Sequence, residues 1–592
     1  MTMTTPATTA AEWLGKFSET LQRRDAAAAA ALFLEECYWR DLLAFTWNIK
    51  TMEGRDAVER MLETALASAQ PSGWRITGEP TFDGRLIEAW FSFETGVARG
   101  EGVMRLSDGK CHTLLTSTSE LKGFEEKRGA TRPLGVRHQA DRKRETWTDE
   151  RRRERATLGY SEQPYVLVIG GGQGGLALGA RLKQLGVPTI VLDKNARAGD
   201  AWRKRYRSLV LHDPVWFDHM PYMPFPAHWP VFTPKDKIGD WMEMYALVME
   251  LNYWTNSTCT RASYDAQAKQ WTVEVDRDGK RVVLKPKQLV FATGASGRPR
   301  MIDLPRMQEF RGEILHSSQY AEGSKFRGRK VAVIGAGSSG HDVSVDLWES
   351  GADVTMIQRS PTTVVRVGTL QEVGMQLYSE TAVAAGINVE RADLIAASVP
   401  YKLFTELQKQ ITAKIRERDA AFYERLSATG MLLDFGEDDS GMVMKAYRTA
   451  AGYYIDVGGS DLIIDGEIKI KAGLSIAHLN ESGMVFEDGS ELAVDAIIAC
   501  TGYAGMIDTV AQIVSPEVAD RVGRIAGLGS GVRGDPGPWK GEMRNLWKPT
   551  SHEALWIHAG NLASSRFYSK YLALQLKARM EGLPTPVYGD PG

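Results

Sequence analysis

An unbroken apolar run, Tyr165–Ile169, stops at Gly170-Gly-Gly-Gln-Gly-Gly175, and Ala and Leu at helical spacing follow over Leu176–Leu185. A second run, Thr189-Ile-Val-Leu192, ends at Asp193. Short runs without polar interruption belong to strands buried on both faces, so the pattern predicts strand, helix and parallel strand. The same pattern returns later. Lys330–Ile334 enters Gly335-Ala-Gly-Ser-Ser-Gly340, a helix is predicted over His341–Ser350, and Asp353–Gln358 reads as the next strand. Two more apolar strands, from Leu289 and from Asp495, each run into Thr-Gly, at Thr293-Gly294 and Thr501-Gly502. The duplication predicts an α/β chain with two Rossmann-like dinucleotide folds.

Ahead of them the pattern changes. Residues 1–10 are Thr-rich and predict a disordered tail. Residues 11–125 read as a small α+β domain. Trp13, Phe17 and Leu21 mark a first helix, the alanines capped by Asp25 a second, and Gly54–Leu62 a third. Alternating strands are predicted at Cys37–Phe45, Trp74–Thr81, Leu86–Thr95, Ala98–Leu106 and Cys111–Ser117. Residues 126–160 are a charged linker, a solvated helix or an extended strap, with Trp147 set against a neighbouring surface. The expected division is then 161–326 as the first part of one nucleotide domain, 327–464 as the second nucleotide domain with a helical insertion over 375–460, and 465–592 as the remainder of the first. Gly458–Ile464 and Ile468–Lys471 are predicted as strands, and Ser565–Met580 as an amphipathic helix.

At 592 residues the chain exceeds what one core supports, so several domains are required. A net charge of −2 gives no electrostatic case for nucleic acid or an anionic membrane. No apolar run has the length of a membrane span, and the N-terminus lacks a basic-then-apolar leader, so a cytoplasmic protein is expected. None of the four cysteines lies in a C-x-x-C, which argues against a disulfide framework, a zinc site and a dithiol redox centre, and no metal site is expected.

In a G-x-G-x-x-G turn the first glycine permits the tight bend, the second lets backbone N–H groups approach a pyrophosphate, and the third lets helix and strand pack closely. Gly170, Gly172 and Gly175 hold these places in the first unit, with Gly174 inside the turn and Lys194 beside Asp193. Asp193 is placed to accept from a ribose hydroxyl. Gly335, Gly337 and Gly340 hold them in the second, with Ser338 and Ser339 between. Here the strand ends in Gln358-Arg359-Ser360. An acid would repel a 2′-phosphate, whereas Arg359 and Ser360 bind one. The first site therefore suits FAD or NAD and the second NADPH. Two such folds in one chain imply hydride transfer between two cofactors, and no cysteine pair exists to receive the electrons.

Between the halves lies Phe310-Arg-Gly-Glu-Ile-Leu-His316-Ser-Ser-Gln-Tyr320, of the form F-x-G-x-x-x-H-x-x-x-Y. With both glycine turns, Gly199-Asp-Ala-Trp202, Ala292-Thr293-Gly294 and Thr501-Gly502-Tyr503, it resembles the class B flavoprotein monooxygenases, the flavin-containing and Baeyer–Villiger enzymes, over residues 161–592. Tyr320 in place of Trp leans toward the flavin-containing group. Leu211-His212-Asp213-Pro214 and Gly452–Val457 are similar to the plant-type indole-pyruvate branch, and the preceding domain is similar to type II bacterial members. That domain's element order resembles the nuclear-transport-factor-2-like superfamily. Such a domain can hold an isomerase pocket, with Asp41 the available acid, but a surface pairing of Asp41 with Arg40 or Arg55 is the expectation. The domain is expected to supply a dimer face or a wall over the substrate channel.

The resemblance implies FAD and NADPH, with NADH also accepted, and a small apolar substrate with O2 in a homodimer. It implies insertion of one oxygen atom through a 4a-(hydro)peroxyflavin, into ketones or into sulfur or nitrogen. Oxidative decarboxylation of an α-keto acid such as indole-3-pyruvate, or a flavin oxidase or reductase without substrate oxygenation, are the alternatives. His316 would couple the halves through hydrogen bonds. His212 or Asp213 would orient the peroxide, where the animal-type pattern has Asn. Gly199, Trp202, Thr293, Gly294, Thr501, Gly502 and Asn561 fall on the cofactor side, and the last helix would turn its N-terminus to the flavin ring.

Overall fold

The computed structural model describes residues 5–135, 138, 140–295 and 297–589. The first helix already begins at Pro6, where Thr5 accepts from the Thr8 N–H, and Ala10 is buried. The expected tail is thus helical from residue 6, because Ala10, Trp13, Leu14 and Phe17 share one apolar face. Residues 1–4 lie outside the described residues. Asp25 caps the alanine helix through the Ala28 N–H at 2.9 Å.

Three helices pack on a six-stranded sheet with the order Ile49–Glu53, Phe33–Leu42, Lys110–Leu121, Ala98–Ser107, Ile87–Glu94, Ser72–Phe82. Only Phe33–Leu42 and Lys110–Leu121 pair in parallel. The interior is filled with aromatic rings, Trp39 stacked on Phe33 and edge-on to Phe45, and Trp74 stacked on Phe93. Asp41 is not on the surface with an arginine. It is fully buried and accepts from the hydroxyls of Thr46 (2.7 Å) and Thr116 (2.5 Å) and from two backbone N–H groups. Burial raises its pKa, while these hydrogen bonds pull it down.

Arg40 points out of the opposite face of the same strand. Its guanidinium binds Glu542 in bidentate fashion (2.7 and 2.8 Å), the Ala397 carbonyl (2.8 Å) and the Tyr568 hydroxyl (3.1 Å). Ser117 meets Tyr571 at 2.9 Å, and Arg105 reaches Ser398. The sheet therefore docks on the C-terminal helix, Leu562–Met580, and on the helical insertion. Between sheet and nucleotide halves runs the linker helix Trp147–Thr157. Its Arg151 is buried, whereas the Trp147 ring is 61 % exposed and only its N–H is held, by Glu250 at 2.6 Å. Trp147 is thus no hydrophobic anchor.

The two nucleotide halves repeat one topology. The first sheet runs Leu555–Ile557, Gln288–Phe291, Val166–Ile169, Thr189–Leu192, Tyr253–Trp254, all parallel. The second runs Glu313–His316, Ala496–Ala499, Lys330–Ile334, Asp353–Gln358, Lys469–Ala472, again all parallel. Each half also carries a three-stranded antiparallel meander, at Ser257–Leu284 and Ile476–Ala493. Residues 469–472 and 496–499, set with the first half by sequence, pair in the second sheet, where Ala496–Ala499 lies between Glu313–His316 and Lys330–Ile334 and Lys469–Ala472 forms an edge. Gly459–Ile464 is a helix rather than a strand, because Asp456 accepts from the Gly458 and Ser460 N–H groups and turns the chain. The last helix is buried on nearly every side, so it is a core element and not an amphipathic one.

Arg40→Ala would leave Glu542 buried and unpaired, at a cost of about 3–5 kcal/mol. The urea midpoint is expected to fall clearly, and most of the loss should return in Arg40→Met/Glu542→Leu; an unchanged midpoint for the single variant would show that the contact does not tie sheet and C-terminal segment together.

Candidate active site

Both glycine turns sit at the C-terminal edge of their sheet, where ligands of open α/β folds bind. The helices after them start earlier than the sequence pattern indicates, at Gln173 and Ser338, so their N-terminal N–H groups face the turn. A Cβ on Gly175 would lie 2.0 Å from the Gly170 carbonyl oxygen, and one on Gly340 1.9 Å from that of Gly335. Gly170 and Gly335 have φ of 105° and 116°, and each abuts the strand ending in Thr-Gly, at Ala292 and Cys500. The middle glycines differ. A Cβ on Gly172 would meet nothing within 4 Å, and one on Gly337 only the Tyr453 carbonyl at 3.7 Å. Tight packing behind each turn and open space at its centre form a cradle for a pyrophosphate.

Asp193 accepts from the Gly171 N–H at 2.9 Å and the Asn195 N–H at 2.8 Å, which fixes the first turn from below. Lys194 is exposed beside it. Around the same edge lie polar atoms without protein partners. Thr293 Oγ1 is buried and unpaired, and so are both ring nitrogens of His558, which is fully buried under Gly174. Gln173 donates to the Gly560 carbonyl (3.2 Å) and Asn561 caps the last helix through the Ser564 N–H (2.9 Å), so two helix N-termini meet here. This edge fits FAD: it offers open backbone donors, an acid and unsatisfied buried polar groups. His558 carried no motif; its position where an outer strand enters the cleft was the only signal. Gly199 is buried against the Lys235–Val248 helix, where a Cβ would lie 2.1 Å from the Gly239 carbonyl oxygen, and Trp202 follows half-buried.

At the second edge Arg359 is exposed and Ser360 half-exposed, immediately past the strand end. Gln358 is buried and bound to Leu432 and Thr362. Ser338 donates to the Tyr453 carbonyl (3.2 Å), and the Ser339 carbonyl faces Cys500 Sγ. His341 stacks on Tyr454 at 3.9 Å with its Nε2 unpaired. Thr501 donates to the Arg300 carbonyl at 2.7 Å, unlike its counterpart Thr293. This edge fits NADPH, and Arg359 lies exposed just past its strand end.

The Phe310–Tyr320 word packs on the second half, as the edge strand Glu313–His316 of its sheet. Gly312 packs on the Asp495 carbonyl under the Phe310 ring, and Tyr320 donates to Asp346. His316 is fully buried; its Nε2 meets the Gly502 carbonyl at 3.0 Å and its Nδ1 accepts from the Ser318 N–H at 3.1 Å. Burial pushes its pKa down against the raising effect of Gly502, so the ring is neutral with the proton on Nε2. Both nitrogens are engaged, so His316 is a positioning residue. Burial likewise lowers His341, and takes His558 down to about 3.

His212 lies 3.4 Å from Asp342 on the second half's helix. Burial opposes its charge, but the Asp342 carboxylate prevails and its pKa is raised. Asp213 and Asp218 are both raised, chiefly by burial. Asp218 Oδ2 has no partner. Close by, Arg566 of the last helix clamps the Phe217 and His219 carbonyls (2.7 and 2.8 Å) and Asp393 of the insertion (2.8 Å).

Paired cofactor edges of this kind define a two-nucleotide flavoprotein oxidoreductase. A family profile described as pyridine nucleotide-disulphide oxidoreductase matches residues 167–430. The chain is 31 % identical to the indole-3-pyruvate monooxygenase YUCCA1 of Oryza sativa subsp. japonica over 368 residues, 62 % of this chain and 79 % of that protein. It is 29 % identical to the probable indole-3-pyruvate monooxygenase YUCCA10 of Arabidopsis thaliana, covering 58 % and 82 %. In fold it is similar to cyclohexanone monooxygenase bound to ε-caprolactone, with a TM-score of 0.51 at 18 % identity over 71 % of this chain and 88 % of that one. The NADP+-bound cyclohexanone monooxygenase of Rhodococcus sp. Phi1 gives 0.51 at 16 % identity, covering 71 % and 85 %. The chain belongs to the class B flavoprotein monooxygenases, and its cofactors are FAD and NADPH.

Gly175→Ala and Gly340→Ala should separate the two sites. The first is expected to yield protein with flavin affinity about 10- to 100-fold weaker, the second to keep flavin and lose a similar factor in NADPH affinity, from overpacking of about 1–3 kcal/mol. Absorbance of the purified protein and NADPH titration decide it. Arg359→Ala should weaken NADPH by about 10- to 100-fold and leave NADH nearly unchanged, through loss of a charge-assisted contact of roughly 1.5–3 kcal/mol; equal loss for both coenzymes would remove Arg359 from the 2′-phosphate site.

Proposed function

We propose that the enzyme inserts one oxygen atom from O2 into a small apolar ketone, or into a soft sulfur or nitrogen centre. The observation that carries this reading is the pairing of two intact glycine edges with cysteines that are all free and none of them paired. Electrons delivered to the first edge have no dithiol to enter. FAD supplies the oxygen-activating chemistry and NADPH the hydride.

The chain's own residues supply binding, orientation and exclusion of water. His316 holds the end of its strand to the Thr501-Gly502 turn, which fixes the second edge. Arg566 fixes the Pro214–Pro221 loop to the last helix, whose N-terminus meets that of the Gln173–Gln184 helix. Phe217 against Tyr378, and the Phe225, Trp229 and Trp241 stack beyond, give that loop an apolar, dehydrated surface. Such walls suit an uncharged substrate and protect reactive species from water. His212 or Asp213 serves as the group that orients the activated oxygen; burial raises the pKa of Asp213, and the Asp342 carboxylate raises that of His212.

A second reading, oxidative decarboxylation of an α-keto acid, is favoured by the named activity of the plant relatives. We read the N-terminal unit as nuclear-transport-factor-2-like, on its helix order and six-stranded sheet, and as a buttress for the C-terminal helix. None of the helices among the described residues is long and apolar enough to cross a membrane. The proposal includes a homodimer in the cytoplasm.

The test is a panel of ketones, sulfides, amines and indole-3-pyruvate under labelled O2 with NADPH. One labelled atom in an ester or sulfoxide is the expected outcome. Carbon dioxide release from indole-3-pyruvate alone would select the second reading, and peroxide as the sole product with every substrate would replace both by an oxidase.

A further inference from the structure

The chain passes from the first nucleotide half to the second between Trp202 and Tyr206. Trp202 packs in the apolar cluster of the Gln173–Gln184 and Lys235–Val248 helices, whereas Tyr206 is buried in the core of the second half beside Tyr320. Arg205 stands at this crossing, half-buried. Its guanidinium lies over two rings, 5.8 Å from the centre of Tyr206 and 5.7 Å from that of Tyr503. The arginines around it are paired, Arg203 with Asp200 and Asp240, and Arg207 with Glu322. Arg205 has no carboxylate or carbonyl partner among the described residues, and its Nε has no acceptor. The nearby acids are already engaged: Asp342 accepts from Tyr206 at 2.5 Å, and Asp346 from Tyr320.

Tyr503 belongs to the turn that follows Ala496–Ala499. That strand and Asp353–Gln358 flank Lys330–Ile334, the strand that carries the second glycine turn. Gly335 abuts Cys500, and the Arg205 charge reaches both Cys500 and His316. Burial pushes the Cys500 thiol up and the His316 ring down, and the guanidinium lowers both. The glycine turn thus has a guanidinium on each side, Arg359 past the end of Asp353–Gln358 and Arg205 over the turn after Ala496–Ala499. A dinucleotide on such an edge sets its pyrophosphate at the glycines and its adenosine ribose at the end of the strand after them. The nicotinamide end then runs toward Tyr503. An oxidised nicotinamide ring is itself a cation, and the 2′-phosphate lies on the opposite side, so the anion within reach of Arg205 is the pyrophosphate.

We propose that Arg205 binds the pyrophosphate of NADPH from the nicotinamide side, so that a coenzyme seated on the second half is also gripped by the first. The inference rests on the reading of the second edge as the NADPH site. Phosphate oxygens supply the acceptors that the guanidinium fork lacks, and the two tyrosine rings hold its plane for a bidentate contact. The pyrophosphate is common to both coenzymes. Arg205 therefore contributes affinity without choosing between NADPH and NADH, and that choice is left to Arg359.

Calorimetric titration of the flavin-loaded enzyme with NADP+, NAD+ and 2′-AMP tests this. Arg205→Met keeps an apolar stem between the rings and leaves no carboxylate unpaired. It is expected to weaken NADP+ and NAD+ by the same factor, about 10- to 100-fold, through loss of a charge-assisted contact. Flavin content should be unchanged, and so should binding of 2′-AMP, which has no pyrophosphate. Arg205→Lys should fall between the two enzymes, and Arg205→Gln takes the place of the Met variant if that does not fold. Unchanged dinucleotide affinity in Arg205→Met while Gly340→Ala weakens it would overturn the proposal, as would a loss confined to NADP+, a parallel loss of 2′-AMP, or loss of flavin. Unchanged affinity in both Arg205→Met and Gly340→Ala would overturn the assignment of the edge and the proposal with it.

Discussion

Everything about the two cofactor edges depends on one close approach made twice. The third glycine of each turn rests on the carbonyl of the first, at a distance that leaves no room for a side chain. That contact pulls the helix N-terminus back over the strand end. Its N–H groups then point into the gap at the middle glycine, where the partial positive charge of the helix end favours a phosphate. The rest of each half follows: the Thr-Gly strand closes against the turn at Ala292 or Cys500, and the meander covers the flank.

From this shared frame the halves diverge in how they use polar groups. Asp193 turns inward and anchors the first glycine loop, whereas Gln358 at the matching strand end anchors Leu432 and leaves Arg359 at the surface. Thr293 keeps a free hydroxyl where Thr501 is tied to the connector. The second edge is therefore braced by the word that links the halves, while the first is left open for a resident cofactor. The N-terminal sheet adds a brace from outside. Arg40, Ser117 and Arg105 hold the last helix and the insertion, so an element far from the turns fixes a helix whose N-terminus reaches the flavin edge.

Both nucleotide units, the connector word and the helical insertion were legible in the sequence, because their glycines and apolar runs obey a period that survives without tertiary context. The helix starts were read three residues late, since the glycine-rich first turn carries no apolar spacing. What was not legible depended on partners distant in the chain. Asp41 looked like a surface acid because Arg40 is adjacent, yet alternation along a strand sends neighbours to opposite faces. Arg40 instead meets Glu542, 502 residues away. Gly458–Ile464 has strand-like composition, and only the Asp456 turn makes it helical. His558 lay inside an ordinary strand exit; its unpaired nitrogens appear only once Gly174 covers it.

The buried imidazoles show how the protein interior stays neutral next to charged cofactors. A charged ring in a buried connector would need a carboxylate, and a carboxylate would repel the phosphates. His316 avoids both by remaining neutral and joining its two hydrogen bonds to backbone groups. Burial lowers His341 as well, against the nearby Asp456 and Asp342, and lowers His558, where burial acts alone. His212 is the exception, because Asp342 stands 3.4 Å away and raises its pKa. That pair lines a cavity between the 208–212 connector and the Ser338–Glu349 helix, which no residue of either glycine turn lines. A proton is thus held most readily where a carboxylate stands beside the ring, and His316, without one, keeps its place through neutral hydrogen bonds.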